Sequence, residues 1–290
     1  MPTDLIDAHL PEAAAIIGQT PLDRERLKRA KNLRAIINIE GNFLPNLDYD
    51  FCFRNNIHVL AAAPAFAAAV SECALAFALD LARGITEADR DFRNGREEYG
   101  LLGNRNTFSL IGANIGLIGF GNLAQTLLPF LKPFRVNIRV YDPWLSEGII
   151  REFDCEPCSL DNLLSNSRVI FVLAAVTQQT ESFIGRRAEV VDWHAFMDGV
   201  AQGKYKAATD VFPVEPVPSD DPIRKEERIL LSAHRTAALR ESFYRIGEMV
   251  VDDLGLILNS LPPIRMQQAK RETVKHYRSK PGRSYKREEL

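Results

Sequence analysis

The tightest constraint on this chain is a run of small residues set between two apolar segments. Gly119-Phe120-Gly121-Asn122-Leu123-Ala124 follows the strand-like Ile115-Gly116-Leu117-Ile118 and opens a helical stretch from Leu123 to Leu131. A second strand-like run, Val136-Asn137-Ile138-Arg139-Val140-Tyr141, ends at Asp142, which lies 18 residues beyond Ala124. Strand, glycine turn, helix, strand and acid in that order form a dinucleotide-binding fingerprint. Gly119 permits the tight turn, Gly121 lets the backbone approach a pyrophosphate, and Ala124 lets the helix pack on the strand. Phe120, Asn122 and Leu123 complete the turn, and the helix N-terminus offers unpaired N–H groups and a positive dipole end to phosphates. Asp142 suits the adenosine ribose hydroxyls and repels a 2′-phosphate, which favours NAD over NADP. Arg139 and Arg151 stand close enough in sequence to temper that preference. The competing reading is a βαβ turn that holds no ligand.

The segments around the fingerprint alternate in the same way. Ala14-Ala15-Ile16-Ile17, Arg34 to Ile39 and His58-Val59-Leu60-Ala61 read as strands. Between them lie a helix over Pro21–Ala30, with Thr20 as N-cap and Pro21 at the first helical position, and a second helix over Leu47–Asn56. Parallel strands joined by crossover helices follow. Val59 to Ala82 is long and apolar, but Pro64, Glu72 and Asp80 interrupt it, so a buried helix from about Ala65 to Arg83 is expected rather than a membrane span. The charged stretch after Gly84 reads as a solvated linker. Phe243 to Leu258 carries apolar residues at helical spacing.

Composition closes off several classes. Of 290 residues, 46% are hydrophobic and 26% charged, and the net charge is −2, so neither disorder nor general nucleic-acid binding is expected. The charge is unevenly placed: residues 265–290 hold nine Lys/Arg and three Asp/Glu, giving +6 there and −8 elsewhere. That basic tail reads as disordered or loosely docked, with contact to an acidic partner as the alternative. Four cysteines in a chain of this size, without a basic-then-apolar leader, point to a reducing, cytoplasmic setting. Cys155-Glu156-Pro157-Cys158 has no second ligand pair, so it reads as a loop, and no metal site is expected.

With these residues in hand, the chain resembles the D-isomer-specific 2-hydroxyacid dehydrogenases from about residue 14 to about 258. The shared blocks are Leu47-Asp48, Val59 to Leu81, the glycine turn, Tyr141-Asp142-Pro143, Val172 to Thr177, Ala188 to Asp192, Thr209 to Pro216 and Ser232-Ala233-His234. Asp-Val-Phe-x-x-Glu-Pro followed by a strand ending in His is the block most particular to the family. The resemblance implies an α/β fold: a Rossmann-type doubly wound parallel sheet at residues 84–235 and a smaller, discontinuous flavodoxin-like substrate half from residues 1–83 and 236–260, with 261–290 as the tail. It also implies a small D-2-hydroxy acid or 2-oxo acid as substrate, NAD as cofactor, and a homodimer, with no membrane or nucleic-acid partner.

Carried over residue by residue, the catalytic groups are His234, Glu215 and Arg187. An imidazole can take and return a proton near neutral pH, a carboxylate holds it in place, and a guanidinium grips a substrate carboxylate. Ala174, Thr177 and Asp210 join Gly119, Phe120, Gly121, Asn122, Leu123 and Asp142 on the cofactor side. Gly41, Asn42 and Phe43 offer backbone N–H groups to the substrate carboxylate. Without the motif, His234 reads as a strand-end histidine and Glu215 as an exposed turn acid.

Three departures from the family pattern stand out. The first strand of the substrate half has no counterpart before Ala14. Glu181 to Arg186 runs straight into Arg187 to Asp192, where the family has a helix and a central strand, a deficit of roughly 16 residues at average element lengths. That junction leaves Arg186 or Arg187 as the family arginine, and the sheet must either close over the gap or leave an unpaired edge. Impaired activity, or NAD binding without turnover in a corepressor-like or sensory role, is the alternative this raises. Finally, Arg235-Thr236-Ala237-Ala238 replaces a glycine-rich turn after the histidine, and Phe43 stands where a second loop glycine is common.

Overall fold

The computed structural model describes residues 3–174 and 191–274. In chain order the elements begin α1 (Thr3–His9), β1 (Ala15–Ile17), α2 (Arg24–Arg29), β2 (Ala35–Asn38), α3 (Tyr49–Arg54), β3 (His58–Ala61), α4 (Ala63–Arg83) and α5 (Ile85–Arg93). The middle of the chain gives β4 (Asn114–Ile118), α6 (Asn122–Leu131), β5 (Asn137–Tyr141), α7 (Glu147–Arg151), β6 (Glu156–Pro157), α8 (Leu160–Asn166) and β7 (Val169–Val172). Then come α9 (Trp193–Ala201), β8 (Ala207–Thr209), β9 (Ile229–Leu231), α10 (Arg240–Leu258), β10 (Gln267–Gln268) and α11 (Arg271–Val274).

The chain divides into two compact units, one built from residues up to Phe66 and from Arg240 onward, the other from the residues between. In the first unit the sheet order is β1-β2-β3-β10, with the first three strands parallel. Strand period decides its core: Ile36 faces Leu27 and Cys52 on one side, while Ala35 and Ile37 face Ile246, Met249 and Ile257 of α10 on the other. A strand buried on both faces reads as an unbroken apolar run, which is how β2 was found.

Several details differ from expectation. Helix α2 starts later than the Thr20–Pro21 signal implies, because Leu22 bridges to Leu47 in an extended stretch and Asp23 supplies the cap, accepting the Arg26 N–H at 2.9 Å. Asp48 caps α3 in the same way, at 2.9 Å from the Phe51 nitrogen. The charged linker contains α5, whose Asp89 and Arg93 pair one turn apart at 2.9 Å. The Cys155–Cys158 segment includes the edge strand β6, parallel to β5. A helix, α1, precedes β1; its Ile6, and Leu10 just after it, pack into the core.

The tail also begins later than residue 261. Asp253, fully buried on α10, accepts the N–H groups of Ile264 at 2.8 Å, Arg265 at 2.9 Å and Met266 at 2.7 Å. This turns the chain so that β10 joins β3 antiparallel and buries Met266 and Val274. Residues 275–290 lie outside the described residues.

The second unit holds a parallel four-stranded sheet in the order β6-β5-β4-β7. Its core gathers Ile115, Leu117, Phe120, Leu127, Leu131 and Val140, all fully buried, with Ala74, Leu75, Ala78 and Leu79 of α4 packed against it. By length and hydropathy alone α4 would pass for a membrane span; four of its apolar side chains pack against this core. Strands β8 and β9 form a separate parallel pair over a small cluster of Val200, Ala207, Ile223 and Ile229. Among the described residues no ladder joins β7 to β8. The gap itself, around 185–188, lies outside the described residues.

The buried carboxylate of Asp253 generates a prediction. Asp253→Ala leaves three backbone donors without their acceptor and should lower the unfolding free energy by about 3 kcal/mol, as charge-assisted hydrogen bonds are valued. Urea denaturation followed by circular dichroism measures it, and an unchanged midpoint would contradict the role given to Asp253.

Candidate active site

The glycine turn is built by close contact. Gly119 has φ +87°, and a Cβ placed on it would stand 2.6 Å from the Cα and 2.7 Å from the nitrogen of Ala174. Only glycine fits both the conformation and the space. Gly121 faces open space and its backbone is accessible, at the start of the ten-residue helix α6. The turn is fixed from beneath: the Phe120 ring is fully buried and meets Phe153 edge-on at 5.3 Å. Phe120 therefore serves the core, while its N–H donates to Asp142 Oδ2 at 2.8 Å.

Asp142 has a second task. Its Oδ1 accepts the N–H groups of Trp144 at 2.8 Å and Leu145 at 3.2 Å. A carboxylate has about four lone-pair sites, so one remains for a ribose hydroxyl. The nearby cations are committed: Arg139 pairs with Glu156 at 3.2 Å and donates to the Asn166 carbonyl, and Arg151 pairs with Glu147 at 2.9 Å. The open glycine backbone, the helix N-terminus and the acid fit a dinucleotide without a 2′-phosphate.

The acid–base pair stands at the carboxyl ends of β8 and β9. His234 Nδ1 lies 2.7 Å from Glu215 Oε2, and Glu215 Oε1 accepts the Phe212 N–H at 2.9 Å. Phe212 meets Trp193 edge-on at 5.9 Å, so the loop that carries Glu215 is anchored in the small β8–β9 cluster. The imidazole is exposed, and His234 has φ +51°, rare for a residue with a side chain. Its Nε2 is left to face a reacting group.

Asp210 follows β8 and accepts the N–H of Arg235 at 2.9 Å and both the N–H and hydroxyl of Thr236, at 3.2 and 2.6 Å. Burial pushes its carboxyl up, but the hydrogen bonds from Ser232, Thr236 and Arg235 outweigh this and hold it below the usual range. Cys73 of α4 feels the same group: burial first, and then the Asp210 charge, raise its thiol, while Arg235 lowers it. Burial pushes the Cys155 thiol up to about 11 and raises that of Cys158, so neither offers a ready thiolate.

In the first unit the loop after β2 carries Gly41, Asn42 and Phe43. Asn42 is exposed, but Phe43 is buried and meets Tyr49 edge-on at 6.5 Å. The Phe43 side chain thus belongs to the core. Two residues that the sequence pattern passed over support this loop. The Gln19 amide, turned with its oxygen inward, accepts the N–H groups of Glu40 at 2.9 Å and Ile39 at 3.3 Å. Asn38 ends β2 fully buried, with neither amide atom hydrogen-bonded to the protein. A lone polar residue closing an apolar strand was the available signal. Thr177 and Arg187, with Arg186, lie outside the described residues.

Comparison with known proteins places the chain among similar sequences and folds. Residues 75–188 match the family model for the NAD-binding domain of D-isomer-specific 2-hydroxyacid dehydrogenases. The chain is 29% identical over 269 residues to a D-3-phosphoglycerate dehydrogenase of Archaeoglobus fulgidus, covering 87% of this chain and 50% of the relative. It thus spans about half the length of the first such relatives. A hydroxypyruvate reductase of Thermotoga maritima is 29% identical, with 85% and 87% of the two chains covered. Among solved structures, a phosphoglycerate oxidoreductase from Rhizobium etli superposes with TM-score 0.81 at 42% identity, over 92% of this chain and 86% of that one. A formate dehydrogenase from Staphylococcus aureus, in complex with NAD, gives TM-score 0.63 at 26% identity, over 90% and 83% of the two chains.

The contact at Gly119 predicts that Gly119→Ala displaces the turn and weakens NADH binding at least tenfold, an effect near 1.4 kcal/mol. Fluorescence titration with NADH reads it; Gly148→Ala, at a glycine with no neighbour near its Cβ position, is the control expected to bind normally.

Proposed function

Because the chain belongs to the D-isomer-specific 2-hydroxyacid dehydrogenase family, we propose that it interconverts a small D-2-hydroxy acid and its 2-oxo acid with NAD. The observation that carries this reading is the 2.7 Å contact between His234 Nδ1 and Glu215 Oε2. It ties one ring nitrogen to a carboxylate and leaves the other free to exchange a proton with the substrate oxygen. When bound, the nicotinamide supplies the hydride chemistry.

In the reducing direction, His234 Nε2 gives its proton to the oxygen of the substrate carbonyl. In the oxidising direction the same nitrogen takes the proton from the hydroxyl, and Glu215 favours the imidazolium that forms. The N–H groups of the Gly41–Phe43 loop and the guanidinium of Arg187 (or its neighbour Arg186) are assigned to the substrate carboxylate. The four-stranded sheet contributes Gly119, Gly121, Asn122, Leu123, Ala174 and Asp142 to the cofactor, and Thr177 is assigned there too. Glyoxylate and hydroxypyruvate are the first substrates to test, since relatives carry those names.

A second reading is NAD binding without turnover. The run of Glu181–Arg186 straight into Arg187–Asp192 in the sequence, where the family has a helix and a strand between these blocks, raises it. The two readings part in one experiment: NADH consumption on a panel of 2-oxo acids, with NADH binding measured alongside. Turnover that falls at least 100-fold in His234→Gln, with NADH binding intact, supports the dehydrogenase. Binding without turnover supports the second reading.

We also assign a homodimer and a cytoplasmic setting. Phe92, Tyr99, Leu101 and Leu102 expose 63, 75, 85 and 53% of their surface within one stretch of the nucleotide half, an apolar face of the kind subunits cover. The four cysteines are free, as a reducing compartment keeps them. Light scattering should give twice the 32.6 kDa chain mass, and Leu101→Glu should shift the protein toward monomer.

A further inference from the structure

The first unit turns the carboxyl ends of three parallel strands to one edge, and the loops there carry a countable charge. Residues 18–24 follow β1 as far as the first residue of α2, residues 39–48 run from β2 to the cap of α3, and Ala62 joins β3 to α4. Backbone bonds tie these loops together. The Gly18 N–H donates to the Ile37 carbonyl at 2.9 Å, the Leu22 N–H to the Asn46 carbonyl at 2.7 Å, and the Ala62 N–H to the Asn38 carbonyl at 3.1 Å. Gly41 packs on the start of α4, its Cβ position lying 3.5 Å from the Phe66 ring and 3.6 Å from the Cα of Ala63.

The charge at this edge is mostly negative. The loops hold three carboxylates, Asp23, Glu40 and Asp48, and one guanidinium, Arg24. Arg24 is spent within the edge, its Nε donating to Asp48 Oδ2 at 2.7 Å. The Phe51 N–H and then Arg24 hold the Asp48 carboxyl below the usual range, so it is ionised at neutral pH. Further arginines of this unit are committed away from these loops. Arg26 and Arg29 pair with Asp7 at 2.6 and 3.5 Å, and Arg34, at the amino end of β2, donates to the Leu258 carbonyl at 2.9 Å. Beside Gly41 the exposed side chain is the neutral amide of Asn42.

A 2-oxo acid brings one carboxylate, which backbone N–H groups and a single arginine can hold. A phosphate ester at its far end adds a charge of about −1.5 to −2. Holding that second anion calls for a further arginine or lysine. These loops have one cation, and Asp48 already holds it. We infer that the substrate half selects 2-hydroxy and 2-oxo acids whose only charge is the carboxylate and rejects their phosphate esters, with Asn42 as the loop position that sets the choice. This specificity rests on the dehydrogenase reading given above and narrows its substrate class. Glu40 need not stand free for it, because what counts is that no cation of these loops is spare.

The test uses the full chain with NADH and two acids that differ only in the ester, hydroxypyruvate and 3-phosphohydroxypyruvate. The kcat/KM for hydroxypyruvate should exceed that for the ester at least 100-fold. Equal or faster turnover of the ester overturns the inference. So does ester turnover that Arg235→Gln abolishes, since the cation would then come from the other unit. Asn42→Lys should move the ratio of the two kcat/KM values at least tenfold toward the ester, and Asn42→Gln, which keeps a neutral amide, should leave that ratio within threefold of the parent. A ratio that lysine does not move takes the choice away from this loop and overturns its assignment. If neither these acids nor glyoxylate is turned over, the dehydrogenase reading fails, and charge selection is read from binding instead. With NADH present, hydroxypyruvate should then raise the Tm and the ester at the same concentration should not. Stabilisation by the ester, or by neither acid, overturns the selection.

Discussion

The nucleotide half depends on the approach of two backbones. Gly119 at the end of β4 lies so close to Ala174, just past β7, that even a methyl group would stand 2.6 Å from its Cα. Any side chain here would collide with the neighbouring backbone, so the turn is set by what Gly119 lacks. With the turn seated this low, the Phe120 ring enters the core and its N–H reaches Asp142 at the end of β5. Three strand ends are thereby joined at one level, and the accessible backbone of Gly121 and the first turn of α6 lie directly above them. Phosphate binding follows from packing, because the donors need no side chain to place them.

Carboxylates do the corresponding work elsewhere. Asp142, Asp210 and Asp253 each collect several donors from the chain itself, and Asp23, Asp48 and Asp192 cap helices through a single backbone N–H. An ionised acceptor bonded to backbone donors is stronger than a neutral one, and it satisfies groups that a turn cannot satisfy internally. These six carboxylates thus serve the chain's own turns and helix starts. In Asp142 three sites hold its own turn and one is left for a ribose. Asp210 likewise accepts three donors from the turn that follows β9.

What could be read in the sequence was local. The β4–α6–β5 unit was legible because periodicity, the glycine turn and Asp142 all lie within one stretch, and β2 was legible because burial on both faces leaves an unbroken apolar run. Glu215 and His234 were found through a motif, although 19 positions separate them. What escaped depended on tertiary partners. Thr20 and Pro21 have the chemistry of a helix start, but the pairing of Leu22 with Leu47 keeps that segment extended and passes the cap to Asp23. Phe43 reads as loop bulk until Tyr49 is placed beside it. Residues 264–268 read as tail because nothing near them in sequence marks Asp253 as their acceptor.

The two functional elements of the nucleotide half therefore have separate foundations. The glycine turn and Asp142 sit on four parallel strands with a large shared core, whereas Glu215 and His234 sit on the two-stranded β8–β9 pair and its small cluster around Trp193, Phe196 and Phe212. Side chains contribute to the geometry of this pair. Trp193 holds the Glu215 loop through Phe212, and Asp210 binds the ends of β8 and β9 together through the turn that follows them. Binding a dinucleotide and directing a proton thus place different demands on the fold. The first is met by strand packing. The second would rest on a few hydrogen bonds, foremost that between His234 and Glu215.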